Sequence, residues 1–81
     1  MKVTLDMEEG EPIILSKDDG WRFVPGNSGD LVAIRQTSES EKSLFIVTYL
    51  TKRVTEYTMD AQSDEMKSWI DHKKYRKITH E

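Results

Sequence analysis

Ser63-Asp64-Glu65-Met66-Lys67-Ser68-Trp69-Ile70-Asp71-His72-Lys73-Lys74 is the stretch on which the fold of this 81-residue chain turns. Ser63 can accept an amide hydrogen bond as a helix N-cap, and Asp64 and Glu65 then fall in the positive first turn. Met66, Trp69 and Ile70 stand at the three-and-four spacing of a single apolar stripe. Lys73 and Lys74 suit the carbonyl end, and Asp64–Lys67 and Asp71–Lys74 are spaced to pair along a helix. The pattern predicts an α-helix over residues 63–74, with Trp69 buried beneath it. Residues 75–79 alternate weakly, as a final edge strand would.

Upstream the period is two. Val3, Leu5 and Met7 alternate with Lys2, Thr4 and Asp6, the mark of a half-buried strand. Glu8-Glu9-Gly10-Glu11 turns the chain, and Pro12 opens a short strand where its missing donor costs least. Asp18-Asp19-Gly20 is a hairpin signal ahead of Trp21-Arg22-Phe23-Val24. Residues 25–30 are all turn formers, and residues 38–43 form a polar loop. Strands are expected over about 2–7, 12–15, 21–24, 31–37, 44–50 and 54–59. Residues 31–34 and 44–50 are apolar on both faces, which a sheet with one wet face would not show. The reading is a single α+β domain spanning residues 1–81. Its curved antiparallel sheet, a roll or small open barrel of five to seven strands, carries one C-terminal helix packed on it. The second apolar face is then covered by the curl of the sheet or by a partner subunit, as in a homodimer.

A chain this short buries only about 60–65% of its unfolded surface, so each core residue counts. It has no cysteine, hence no disulfide and no thiolate chemistry, which fits a reducing compartment. Acids break up the amino-terminal residues, unlike a signal peptide, and the longest aliphatic or aromatic run, 44–47, is far too short to cross a membrane. A cytoplasmic protein is expected.

Charge is distributed unevenly. Residues 1–30 carry seven acids against three bases, whereas residues 63–81 carry four acids against five bases. Two opposed surfaces follow. Glu8, Glu9, Glu11, Asp18 and Asp19, with Trp21 and Phe23 if their rings face outward, would form an acidic-aromatic contact surface for another protein. Arg53, Lys67, Lys73, Lys74, Arg76 and Lys77, with Tyr75 free to stack on a base, would form a nucleic-acid surface. Short charge runs are ordinarily solvated faces, and the overall charge of −3 repels polyanions, so nucleic acid is the lesser reading.

No catalytic or metal set emerges. His72 and His80 lie eight apart without a third ligand at a recognisable spacing. The acidic clusters lack calcium-loop spacing. Gly26-Asn27-Ser28-Gly29 precedes a strand rather than the helix that a phosphate loop requires. The expected function is therefore a non-enzymatic protein-interaction module without a cofactor. Its small, motif-free character suggests a bacterial or phage accessory or inhibitor protein.

Overall fold

The computed structural model describes residues 1–25 and 29–81, so the middle of the expected turn and of the glycine loop, residues 26–28, lies outside the described residues. Seven strands form one antiparallel sheet: β1 (Lys2–Met7), β2 (Ile13–Ser16), β3 (Arg22–Pro25), β4 (Leu31–Gln36), β5 (Glu41–Thr48), β6 (Arg53–Asp60) and β7 (Met66–His80). Their order is β2-β1-β7-β6-β5-β4-β3.

This order forces curvature. β2 and β3 are neighbours in sequence but stand at opposite edges of the sheet. Six inter-strand spacings would put flat edges about 29 Å apart, while the link from Ser16 to Arg22 reaches only about 21 Å when fully extended. The sheet therefore curls into a half-barrel. A single 3₁₀ turn, Lys17–Asp19, joins the edges, and the Trp21 amide donates to the Ser16 carbonyl at 3.3 Å. Gly20 closes that turn at φ 93°, a conformation that favours glycine.

Strand periodicity fills the inner face. Val3, Leu5 and Met7 of β1, Leu15 of β2, Trp21, Leu31 and Ala33, Phe45 and Val47, Val54 and Tyr75 make one buried cluster. Phe23, Ile13 and Ile78 pack against it. At the mouth of the half-barrel an aromatic row crosses the strands. The Arg35 guanidinium lies 4.5 Å from the Trp21 ring centre, and Trp21 meets Phe45 edge-on at 5.3 Å. Phe45 stacks on His72 at 5.7 Å, and His72 Nε2 is 2.9 Å from Glu56 Oε1.

The described residues contain no α-helix. The helix expected over residues 63–74 is replaced by a turn and the first part of β7, so the α+β assignment is corrected to an all-antiparallel sheet. The strand expected over residues 75–79 is present, as the second part of β7: residues 66–74 pair with β6 and residues 75–80 with β1. Trp69, expected beneath a helix, is 57 % exposed.

Bulges explain the error. In β7, Ser68 faces Thr58 while Met66 faces Met59, leaving Lys67 as an extra residue. Asp71 faces Thr55 while Lys74 faces Arg53, adding another, and Lys77 and Tyr75 face Asp6 and Met7, leaving Arg76 over. Each extra residue stretches the spacing between same-face residues from two to three. Met66 and Trp69 therefore share the outer face, and His72, Tyr75 and Ile78 the inner, at a spacing that imitates a helical stripe.

The expected cap residues build a turn instead, and Ser63 Oγ accepts the Glu65 amide at 3.4 Å. Asp60 Oδ1 accepts the amides of Gln62 at 2.8 Å and Ser63 at 3.0 Å, and the Asp60 amide donates to the Glu65 carbonyl at 2.8 Å. These bonds build the β6–β7 turn.

Lys73, in the middle bulge, has φ 68°, where a side chain on Cβ is strained. Lys73→Gly should relieve that strain, leaving the fold intact and raising stability by about 0.5–1 kcal/mol. Lys73→Val should lower it by at least about 1 kcal/mol. Thermal melts of the two variants, which should move in opposite directions, check the bulge.

Candidate partner-binding face

Cross-strand pairing lays out the outer face of the sheet row by row. Arg22, Ile34, Leu44, Tyr57 and Trp69 form one row across five strands. Val24, Val32, Ile46, Thr55 and Asp71 form the next. Gln36, Lys42, Met59 and Met66 form a third. The middle strands are thus apolar on the outside as well as within. An open antiparallel face is ordinarily polar. Ile34, Leu44, Ile46 and Tyr57 are half-buried by one another, whereas Met66 and Trp69 stand 52 % and 57 % exposed.

Between β6 and β7 this face dips into a groove of about 470 Å³ lined by Arg53, Thr55, Tyr57, Met66, Trp69 and Asp71. Its charges are balanced from within the chain. Arg53 Nη2 lies 2.8 Å from Asp71 Oδ2, while the Lys67–Glu41 pair, at 3.4 Å, ends on the inner side, where Glu41 shares the register of Ser43 and Phe45. Lys42 pairs with Asp64 further along the rim.

Asp71 Oδ1 also accepts the Lys73 amide at 2.8 Å. That hydrogen bond, followed by Arg53 and Lys73, holds the Asp71 carboxyl below its ordinary value. The amides of Gln62 and Ser63 do the same for Asp60. A depressed carboxylate contributes stability above its unfolded pKa and loses it as pH falls through the folded one. The β6–β7 turn and the groove should hold at neutral pH and loosen only below about pH 4. Amide spectra recorded from pH 6 to pH 2 check this, and Asp60→Asn should flatten the response of residues 60–65.

The residues singled out in sequence fall into two groups. Trp21 is 5 % exposed and Phe23 is packed against the core, so the outward-facing condition on the acidic-aromatic surface is not met. Glu8, Glu9, Glu11, Asp18 and Asp19 are exposed, but in two separate turns.

The basic set is interleaved with acids. Antiparallel pairing of β1 with β7 sets Arg76 3.4 Å from Asp6, and Lys2 pairs with Glu81 at 3.2 Å. The Glu8 amide donates to the Lys74 carbonyl at 2.9 Å, which puts the acidic turn beside the basic strand. Arg53 and Lys73 both reach Asp71, Lys67 is tied to Glu41, and Tyr75 is 4 % exposed. Lys74 and Lys77 are exposed.

His72 and Glu56 are a part-buried pair at the inner mouth. Among the described residues no group of three His, Cys, Asp or Glu side chains could hold a metal ion. Among the described residues no helix is long and apolar enough to cross a membrane. Compared with known proteins, the chain matches no family model, no curated protein and no solved structure.

Sequence reasoning missed the outer face around Trp69. Its signal was present in the two-sided apolarity of residues 31–34 and 44–50, but the expected helix was assigned to cover it.

Proposed function

We propose that the chain is a non-enzymatic protein-interaction module whose docking surface is the outer face of β4–β7, centred on Trp69. The observation that carries this reading is the row Ile34–Leu44–Tyr57–Trp69, apolar across four strands on a face that the described residues leave uncovered. Contiguous exposed apolar surface on a small domain marks an interaction site, and an exposed tryptophan beside a groove has the make-up of a binding hot spot. The balanced rim suits an apolar, locally neutral protein surface rather than a polyion. Absence of cysteine supports placing the module in the cytoplasm, as an accessory factor of a bacterium or phage.

Nucleic acid has less in its favour. Tyr75 has no free ring face to stack, and with Lys74 and Lys77 alone the salt slope of binding would be only about −1.8.

The test uses isotope-labelled chain in lysate of the cells that encode it. Amide signals of residues 44–46, 55–57 and 66–71 should broaden selectively, and Trp69→Lys should restore them. Broadening confined to residues 8–23, or no broadening of a chain that is also monomeric at high concentration, would remove the proposed surface.

A further inference from the structure

We infer that the occupant of this face is a second copy of the same chain, related by a two-fold axis near β7. The inference rests on reading the outer face as a docking surface and goes on to name the partner.

Shape supports it. An isologous contact needs a patch complementary to itself, so knob and hole must lie on the same face. Trp69 projects from β7 with 57 % of its surface exposed, and it forms one wall of the groove that Tyr57 and Met66 complete. In the dimer the Trp69 ring of each copy enters the groove of the other, between Tyr57 and Met66.

Charge supports it independently. A two-fold axis brings each rim charge close to its own symmetry mate, which is unfavourable for any uncompensated cluster. Beside the groove Arg53 and Lys42 are matched by Asp71 and Asp64, and Arg22 stands away from the axis at the β3 end of its row. Two copies therefore meet without a net like-charge field, although the whole chain carries −3. A strongly acidic or basic partner would gain nothing from such a rim.

The terminal strands of the sheet are poor alternatives. β2 and β3 have four residues each, and β3 ends in Pro25. Short edges and proline both oppose pairing of strands between chains.

Area sets the scale. Five strands by three rows, side chains included, cover roughly 25 by 20 Å, or about 500 Å² per copy. About 1,000 Å² in total is near the lower limit for a specific interface. The dimer should therefore dissociate in the micromolar range.

Sedimentation velocity of the full chain from 1 to 500 μM, at about 0.15 M salt, tests the inference. A monomer–dimer transition is expected within that range. In a mixture of labelled and unlabelled chain, isotope-filtered spectra should show contacts between the Trp69 indole of one copy and the Met66 methyl of the other. Trp69→Lys and Met66→Glu should each weaken association at least tenfold while leaving the circular-dichroism melt within a few degrees of wild type. Two variants guard against one failing to fold.

A chain that stays monomeric to 500 μM overturns the inference, as does a dimer that Trp69→Lys leaves intact. Monomer together with selective lysate broadening of residues 66–71 means that a different protein occupies the face, and the docking reading stands. Monomer without that broadening removes both.

Discussion

Trp21→Ala should remove a large share of the stability of the fold. Trp21 is 5 % exposed, meets Phe45 edge-on, carries the Arg35 guanidinium on its other side and donates its amide to Ser16. It therefore sits where the two edges of the half-barrel approach each other. Removing a buried aromatic side chain costs about 3–5 kcal/mol. A domain of this length has roughly 4–12 kcal/mol in all. The loss should also be larger than that of an aromatic inside a closed layer, because β2 and β3 are edge strands, each paired on one side only, with β1 and β4. Urea melts followed by circular dichroism provide the measurement. Trp21→Phe, which keeps a ring against Phe45, should recover part of the loss. A midpoint for Trp21→Ala equivalent to less than about 1 kcal/mol of destabilisation would mean that the edges are held by something other than this ring.

The same residue illustrates what the sequence could convey. An aromatic next to an Asp-Gly turn and an arginine looks like an exposed anchor, and nothing local says that β2 and β3 lie at opposite edges of one sheet. That fact is topological. Once β7 pairs with β1, the short 16–22 link pulls Trp21 inward. By contrast, the alternation of Val3, Leu5 and Met7 maps directly onto the buried positions of β1. Regular pairing preserves the period that a reader counts. β7 was illegible for the opposite reason, because three extra residues replaced a period of two by one of three. All three are cations, Lys67, Lys73 and Arg76, which can leave the ladder and stay in water at little cost. In a helix reading Lys67 looks like an exposed-face charge and Lys73 like a C-terminal one. The candidate face went unread along with the helix, since a helix supplied the missing cover for residues that are in fact open. Its apolar rows were visible in the sequence, but their vacancy was not.

Tyr75→Ala should cost about 3–4 kcal/mol, and the reason separates a core residue from a stacking platform. Tyr75 faces Met7 across the β1–β7 ladder, is 4 % exposed, and its amide donates to the Lys52 carbonyl at 3.0 Å. Its position follows from the two bulges that flank it. With Lys73 and Arg76 set aside, His72, Tyr75 and Ile78 all point inward. Among the described residues no buried side-chain polar atom lacks a partner, so the phenol oxygen reaches solvent or a neighbour, and Tyr75→Phe should change stability by less than about 0.5 kcal/mol. Burial, and secondarily Tyr49, raise the phenol above its ordinary value of 10.0. A group raised on folding contributes stability that is complete below its unfolded pKa and lost as pH rises through the folded one. Wild type should therefore weaken above about pH 10, and Tyr75→Phe should lose part of that alkaline slope. If Tyr75 instead served to stack on a base, Tyr75→Ala would melt like wild type and change only oligonucleotide affinity at low salt. A melt displaced by several kilocalories, with an alkaline limb that the phenylalanine variant flattens, has no explanation in a stacking role. It follows directly from a ring sealed between β1 and β7.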